Sequence, residues 1–437
     1  MLNEQTTQLS SSEIHASQAR NGGWSTRGAS PMRSLWQATV LAAMLCGPTL
    51  AASPSQFYTY DPADLALAKQ KLAVRDPLYQ PSYDNLLKEA DAALTQRRYS
   101  VVDKSLSPAS GNKHDFFSFG PYWWPDPAKK DGLPYIRKDG LHNPAASTDA
   151  TDSRRMGRFG HDVKVLALAW YFTGERKYAV KAGELARAWF LTPETRMNPN
   201  LEYGQAIPGR VDGRGIGIIT SRVLIDVMDS LALIQPTDAL SDAENEAVRG
   251  WYRQYLDWLL NSRHGFEESN AHNNHGTFYS AQVVAYALYT IRQDVARREL
   301  DITKIRRIAG QIDREGKLIA ELERTRPAGY TNFALEAFGY LGRYGELTGQ
   351  KLWEHGEDAH SISQGYRFVA RYVNGEKWPY LEIDPKEGAP DGFNKHAMPN
   401  MLAAARAYKG EPVFAEKARW LLEHCPGQLE ALILPLR

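Results

Sequence analysis

Cysteine, net charge and long apolar runs are all scarce in this 437-residue sequence. It holds two cysteines, Cys46 and Cys425, and 52 basic residues against 51 acidic ones. Near-neutral charge argues against a general nucleic-acid binder, which needs a basic excess, so any charged partner must be recognised by a local cluster. Aromatic residues are plentiful, with 22 Tyr, 14 Phe and 11 Trp, and this content excludes a disordered chain.

The N-terminal region has the pattern of an export signal. Arg33 precedes an apolar stretch over residues 35–45, and small residues at Ala51 and Ala52 suit a signal peptidase. The stretch is shorter than the roughly 20 apolar residues that cross a bilayer, so we expect no membrane anchor in the mature chain. We expect residues 1–52 to be an export signal region and 53–437 a single periplasmic or secreted domain.

Downstream of Pro54, helical periodicity dominates and strand-like alternation is scarce. Long irregular stretches rich in Gly, Pro and aromatics are expected over 99–158, 193–214 and 374–397. The capping box that begins at Ser241 places the start of one helix. The predicted helices are Asp64–Val74, Tyr83–Arg98, His161–Thr173, Lys177–Leu191, Gly215–Ile234, Ala243–Ser262, Asn274–Arg292, Ile305–Arg324, Asn332–Thr348, Ser361–Val373, Met398–Tyr408 and Val413–His424.

A weak internal repeat indicates helical hairpins. Residues 171–182, 344–353 and 408–418 each carry a glycine, a polar turn and an aromatic or leucine that opens the next helix. Repeated hairpins in a chain of this length predict an all-α fold, either an α-solenoid or a closed (α/α) toroid. The long aromatic-rich loops favour the toroid or an incomplete barrel of this kind, with the site at one end.

Three asparagines and two histidines lie within residues 270–275, immediately before an apolar helical run. Asn273 or Asn274 can cap that helix, and the helix dipole favours a neutral imidazole at His275. A neutral imidazole can accept a proton, and a neighbouring amide can donate to a carboxylate. A metal cluster of His264, His272 and His275 is an alternative, but this spacing matches no common zinc signature.

A second polar segment spans residues 321–335. Arg324 and Arg326 precede a Pro-Ala-Gly turn, and Tyr330 follows it near the start of a helix. Arginine offers paired donors to a carboxylate, and neighbouring cations favour a lowered pKa for the Tyr330 phenol. The alternative is that these side chains only stabilise the helix junction.

Aromatic loop segments form the third candidate feature. Clustered rings above a helical scaffold suit stacking on sugar rings, with basic and amide groups for acidic substituents, although part of each loop is expected to pack into the core. No phosphate-binding loop, dinucleotide fingerprint, nucleophile elbow or zincin motif occurs. The candidate substrate-binding residues are Trp123, Trp124, Tyr203, Gln205, Arg210, Asn273, Arg326, Trp378 and Tyr380.

Together, these segments resemble the alginate lyase superfamily of polysaccharide lyases over about residues 80–425. Asn-Asn-His at 273–275 is similar to the family's catalytic motif, and Glu-Leu-x-Arg followed by Tyr-x-Asn-Phe-Ala-Leu within 321–335 is similar to its second motif. The loop at 119–127 and the segment at 201–215 resemble a broader branch that includes glucuronan-active lyases. The Arg324-to-Tyr330 spacing is one residue shorter than in the mannuronate-specific family, which leaves the polymer open.

The resemblance implies a toroid that cleaves a β-1,4-linked uronate polymer by β-elimination, without metal or cofactor. Its partner would be an acidic polysaccharide, with no nucleic acid and no membrane; the oligomeric state stays open. Asn274, His275 and Arg324 would neutralise the C6 carboxylate and stabilise the enolate-like intermediate. Because H5 and O4 lie on one face in β-linked mannuronate or glucuronate, Tyr330 would serve as base and then acid, with His275 lowering its pKa or taking the proton itself.

Two other classes of protein fit parts of the sequence. A glycoside hydrolase on the same fold needs two opposed carboxylates. Asp115, Asp126, Asp152 and Asp212 are candidates for them but form no recognisable pair. A non-catalytic periplasmic glycan-binding protein needs the aromatic loops but neither polar motif.

Overall fold

The structure, a computed structural model, describes residues 57–356 and 359–437. All of them belong to one unit, Ala52–Arg437. The expected export signal region and its boundary near residue 52 lie outside the described residues. None of the helices in the described part is long and apolar enough to span a membrane.

Helices account for most of the described chain, as the sequence predicts. The α-helices of seven residues or more are α1 (Pro62–Ala73), α2 (Gln80–Leu94), α3 (Ser153–Thr173), α4 (Arg176–Ala186), α5 (Leu224–Ile234), α6 (Asp242–Asn261), α7 (Arg263–Ser269), α8 (Asn274–Tyr289), α9 (Gln293–Ile302), α12 (Pro327–Thr348), α13 (Ile362–Ala370), α15 (Pro390–Ala407) and α16 (Pro412–His424). A 3₁₀ helix, Gly215–Val223, leads directly into α5. Shorter ones are α10 (Ala309–Gln311), α11 (Ile319–Leu322), α14 (Pro385–Gly388) and α17 (Glu430–Ile433).

The helices form an α/α toroid. Along the inner ring α3 packs on α5, α5 on α8, α8 on α12 and α12 on α15, and α17 and α2 connect α15 back to α3. Helices α4, α6, α9, α13 and α16 pack outside this ring against their neighbours. The expected fold class is therefore confirmed.

Helix α8 shows why an inner helix carries so few polar residues. Every residue from Asn274 to Tyr289 is buried except His275, which is partly exposed at the helix start. A helix that is apolar on all sides is stable only inside a core, and here α6, α9 and α12 cover it. The one accessible side chain of this helix thus lies at the end of the ring where α8 begins.

Four short strands sit in the loops. β1 (Phe117–Phe119) pairs in parallel with β4 (Tyr203–Ala206), and β2 (Trp123–Trp124) pairs with β3 (Ile136–Arg137) in an antiparallel hairpin. The buried Lys104–Asp152 ion pair, 3.0 Å between Nζ and Oδ2, ties the two ends of this loop region together. Two of the expected irregular stretches, 99–158 and 193–214, are thus joined by strand pairing into one loop layer, whereas the third, 374–397, contains α14 and the start of α15.

Several predicted helix boundaries are wrong. The expected helix Ile305–Arg324 is a π-helical turn (Thr303–Ile308) followed by α10, a turn and α11. In that turn the backbone amides of Glu315 and Lys317 donate to the Asp313 carboxylate, and Gly316 adopts a φ of +80°. Helices α7 and α9 were not predicted, and α3, α12 and α15 begin earlier than expected.

The local stop and start signals are confirmed where they were clearest. Ser241 and Glu244 form the expected capping box at the start of α6. Gly174 and Gly349, in two of the three repeat copies, end α3 and α12 in the left-handed conformation. In the third copy the helix already ends at Ala407.

Candidate active site

The start of α8 places His275 at the edge of the core. Asn273 caps the helix by accepting from the His275 amide at 3.2 Å. The Asn274 amide and its side-chain Nδ2 both donate to buried Glu321, at 2.5 and 2.8 Å. The His275 side chain contacts buried Glu268, with 2.8 Å between Nδ1 and Oε1. The motif therefore forms the structured helix start that its residue types predict.

The hydrogen bond to Glu268 sets the chemistry of the imidazole. A carboxylate only accepts, so Nδ1 carries a proton, and in the neutral imidazole the lone pair is then on Nε2. Nε2 makes no hydrogen bond to any residue within 57–356 or 359–437, and the side chain is 17% exposed. This arrangement leaves Nε2 available as a base.

Buried Arg307 fixes the loop that precedes α8 through hydrogen bonds. Its guanidinium donates to the carbonyl oxygens of Ser269 and Ala271 at 2.7 and 2.9 Å and to Ser280 at 3.0 Å. A Cβ at Gly276 would lie 2.1 Å from the Ala271 oxygen and 2.5 Å from Arg307. The close approach at this glycine lets the loop, and with it Glu268, pack directly beside the helix start.

Tyr330 lies in the first turn of α12, beside α8 in the inner ring. Its hydroxyl accepts from Arg324 Nη2 at 3.0 Å and lies 2.5 Å from the hydroxyl of Tyr122. Arg324 also stacks over the Tyr330 ring, 3.9 Å from its centroid, and pairs with Asp139 at 3.1 Å. Arg324 follows Glu321 by three residues, so α11 and its loop join the His275 cluster to the Tyr330 cluster.

The expected lowering of the Tyr330 pKa is wrong. Burial raises the pKa of this phenol well above its ordinary value, and the hydrogen bond to Tyr122 raises it further. The Arg324 guanidinium acts in the opposite direction but does not outweigh them. Tyr330 is therefore a phenol, with its proton in place, at neutral pH.

Trp123, Gln205 and Arg210 come together on one side of the loop layer, where a fourth residue, Arg214, joins them. The guanidinium carbons of Arg210 and Arg214 lie 5.4 and 5.7 Å from the centroid of the Trp123 ring. Arg214 donates to the backbone and side-chain oxygens of Gln205 at 2.8 and 3.1 Å. This cluster offers an aromatic face, an amide and two cations.

The remaining predicted binding residues are more scattered. Trp124 donates its indole N–H to the Leu141 oxygen, and Tyr203 lies in β4. Arg326 pairs with Glu387 at 2.6 Å. Tyr380 is half-buried on the loop that precedes α14.

Trp378 packs inside an aromatic cluster. It is 7% exposed and contacts Tyr372, Tyr380 and Phe393 with ring centroids 4.9 Å apart, while its N–H donates to Glu382 at 2.9 Å. This burial argues against the expected stacking of Trp378 on a sugar.

The alternative chemistries find less support. Among the described residues, no three His, Cys, Asp or Glu side chains group as metal ligands. His264 pairs with Glu267 and Glu202 instead. Of the four aspartates considered for hydrolysis, Asp152 is buried in ion pairs and Asp115 is hydrogen-bonded to Ser110, Asn198 and Asn200.

Sequence reasoning did not identify five residues of the site as functional candidates: Tyr122, Asp139, Arg214, Glu268 and Glu321. Glu268 and Glu321 stand inside or beside the two polar motifs, so their carboxylates could have been paired with His275 and Asn274. Tyr122 stands next to Trp123 in the aromatic loop. Asp139 and Arg214 carry no comparable signal, because only the folded loops bring them here.

Replacing Tyr122 by phenylalanine is expected to lower the pKa of Tyr330. The change removes a hydrogen bond that raises this pKa, so we expect the phenol to ionise at a lower pH than in the wild type. Carbon-13 NMR of labelled tyrosine follows the Tyr330 Cζ signal, which is assigned by its loss in Tyr330→Phe. An unchanged or higher midpoint would contradict the role given to Tyr122.

Known proteins are similar to this chain in sequence and fold. The family model described as alginate lyase matches residues 100–378. The crystal structure of an alginate lyase from Bacteroides ovatus is similar, with a TM-score of 0.81 and 35% identity over 87% of this chain and 100% of that one. Alginate lyase A1-III complexed with tetrasaccharide is similar in fold, with a TM-score of 0.51 and 13% identity over 89% and 98% of the two chains. No functionally curated protein matches the chain.

Proposed function

The chain belongs to the alginate lyase family, and we propose that it cleaves the β-1,4-linked mannuronate of alginate by metal-independent β-elimination. As a member it is a polysaccharide lyase. The observation that carries the proposal is the link between the two clusters: Glu321 holds Asn274, the neighbour of His275, and stands three residues before Arg324, which is bonded to the protonated Tyr330. The alginate lyases among its structural neighbours support alginate as the substrate.

Neutralisation of the substrate carboxylate comes first in this scheme. The proton at C5 is weakly acidic, and it becomes removable when donors stabilise the charge that spreads onto the C6 carboxylate. Arg324 offers a guanidinium at the site, held in place by Asp139. Asn274 gives one side-chain N–H to Glu321, so its second N–H is the donor that it has left for the substrate.

Proton removal and leaving-group protonation then fall to two different residues. The C5–H bond breaks as His275 Nε2 takes the proton, and the electron pair forms the C4=C5 double bond. The C4–O4 bond breaks, and O4 takes the proton of the Tyr330 hydroxyl. The raised pKa of Tyr330 supports this division over a phenolate base, and both groups can serve one ring face because H5 and O4 are on the same side.

Substrate binding is assigned to the loop layer. Trp123 and Arg210 offer a ring and a cation beside Gln205, and Trp124 and Tyr203 lie on the neighbouring strands. Asn273 and Arg326 flank the two catalytic helix starts. This arrangement supports an extended acidic chain lying across the end of the toroid.

A panel of uronate polymers tests the proposal. Polymannuronate, polyguluronate and glucuronan are incubated with the enzyme, and the ultraviolet absorbance of the unsaturated uronate that contains the new C4=C5 bond is followed. We expect the fastest rise with polymannuronate and no loss of rate after treatment with a chelator. Reducing ends without this absorbance would indicate hydrolysis and overturn the proposal, and faster cleavage of glucuronan would reassign the substrate.

We further propose that the enzyme is exported to the periplasm or secreted. The apolar stretch at 35–45 and the small residues at Ala51 and Ala52 support this location. The N-terminal sequence of the protein purified from its source organism should begin near residue 53.

A further inference from the structure

Arg214 differs from Arg324 and Arg326 in its partners. Arg324 pairs with Asp139 and Arg326 with Glu387. Arg214 is hydrogen-bonded only to neutral oxygens of Gln205, and no carboxylate lies within 4 Å of it in the described ranges. Two of its five N–H groups are used, so three donors remain for a ligand.

This unpaired cation is held at a cost. Burial, together with the nearby charge of Arg137, lowers the pKa of Arg214 to about 10, while Glu268 acts in the opposite direction. A partly buried guanidinium without a counter-ion is unfavourable. Such a group is typical of a site whose anion arrives with the substrate.

The surrounding loops are shaped to place this guanidinium. Gln205, which accepts from it twice, has a φ of +51° in the left-handed region that disfavours side chains. Its amide is fixed by the Ser118 hydroxyl at 2.9 Å. A Cβ at Gly120 would lie 2.6 Å from Arg214 Nη2, so the absence of a side chain there makes room for it.

Arg214 is also tied to the catalytic helix start. The next residue, Gly215, packs on the Glu267–Glu268 backbone, where a Cβ would lie 3.1 Å from the Glu268 amide. Glu268 in turn holds His275. The guanidinium thus approaches the site from the β4 loop, whereas Arg324 approaches it from the loop before α12.

We propose that Arg214, held by Gln205 and stacked on Trp123, binds the carboxylate of the uronate next to the sugar that loses its proton. The inference rests on the proposed function and deepens it, because it makes two adjacent uronates the preferred substrate. A planar guanidinium matches a carboxylate through paired N–H donors, and the Trp123 ring lies beside it, with its centroid 5.7 Å from the guanidinium carbon.

The test varies both the side chain at position 214 and the charge of the substrate. Wild type, Arg214→Gln and Arg214→Lys are assayed on polymannuronate and on partially methyl-esterified polymannuronate. On polymannuronate we expect Arg214→Gln to raise KM about tenfold or more, as for loss of a charge-assisted hydrogen bond, with kcat within about threefold. Arg214→Lys keeps the charge but not the paired donors, so its KM should lie between those of the wild type and Arg214→Gln.

The role of Arg214 is decided by a ratio, namely kcat/KM on polymannuronate divided by kcat/KM on the methyl ester, taken for each variant. Esterification alters the reacting sugar equally for every variant, so that effect cancels when the ratios are compared. We expect kcat/KM of the wild type to fall several-fold more on the ester than that of Arg214→Gln. Arg263→Gln, an exposed site with the same charge change nearby, should behave as wild type, and thermal unfolding checks that each variant is folded.

Two negative results are distinguishable. A wild type that cleaves polymannuronate while Arg214→Gln keeps both the wild-type KM and the wild-type polymer ratio would overturn the role of Arg214 alone. A wild type inactive on every uronate polymer would overturn the proposed function. If Arg214→Gln is unfolded, the polymer ratio of Arg214→Lys decides, and a ratio equal to that of wild type overturns the inference.

Discussion

Tyr330→Phe is expected to lower kcat on polymannuronate at least about 100-fold, the lower end of what a general acid contributes. The change removes the hydroxyl that lies 3.0 Å from Arg324 Nη2 and 2.5 Å from the Tyr122 hydroxyl. Without it, O4 leaves as an unprotonated alkoxide. Because the ring and its stacking on Arg324 remain, we expect KM to change little. Initial rates, followed by the ultraviolet absorbance of the product, measure kcat and KM.

Tyr340→Phe is a matched control for this change. Tyr340 lies on the same helix α12, and its hydroxyl bonds to Glu336 at 3.2 Å, away from the residues assigned to catalysis. It should keep kcat within about threefold of wild type, since its hydroxyl touches no reacting atom. Near-normal turnover by Tyr330→Phe would show that the catalytic assignment is wrong.

The raised pKa of Tyr330 gives the pH profile a definite sign. An acid works below its pKa, so kcat of the wild type should stay level through the mildly alkaline range and fall only when the phenol ionises. A phenolate base would predict the reverse, with the rate rising about tenfold for each pH unit as the phenol ionises. A rising alkaline profile would therefore return both roles to Tyr330.

Much of the fold, and the part of the site around His275, could be predicted from short-range patterns in the sequence. The cap at Asn273 and the capping box at Ser241 involve atoms two or three residues apart, and such bonds form wherever those residues precede a helical run. The apolar run after Asn274 likewise indicated a helix, which α8 confirms.

The contacts that set the chemistry of Tyr330 are long-range and had no such signal. Tyr122 and Asp139 are 208 and 185 residues from their partners Tyr330 and Arg324. Neither periodicity nor spacing encodes such a pairing, and without Tyr122 the neighbouring guanidinium alone suggested the opposite pKa shift. Composition likewise could not separate Trp123, which stacks with cations, from Trp378, which packs inside an aromatic cluster.

His275→Ala is expected to lower kcat at least about 100-fold, because it removes the proposed base. Only the imidazole is lost, since the helix start is held by Asn273 and Asn274 through bonds that do not involve this side chain. Added imidazole should restore part of the rate. His272→Ala, at an exposed position three residues earlier, should keep the wild-type rate.

Glu268→Gln separates orientation of the imidazole from its presence. The carboxylate accepts from Nδ1 and so fixes the tautomer with a free Nε2; an amide can instead donate to Nδ1 and move the ring proton to Nε2, where it blocks proton removal. We expect kcat to fall about tenfold or more, as for a base held in the wrong tautomer, with little change in KM. Because Glu268 acts through His275, the double variant Glu268→Gln/His275→Ala should be no slower than His275→Ala. A further loss in the double variant would show that Glu268 acts on the substrate or the fold independently, and its role as the positioning residue would fall.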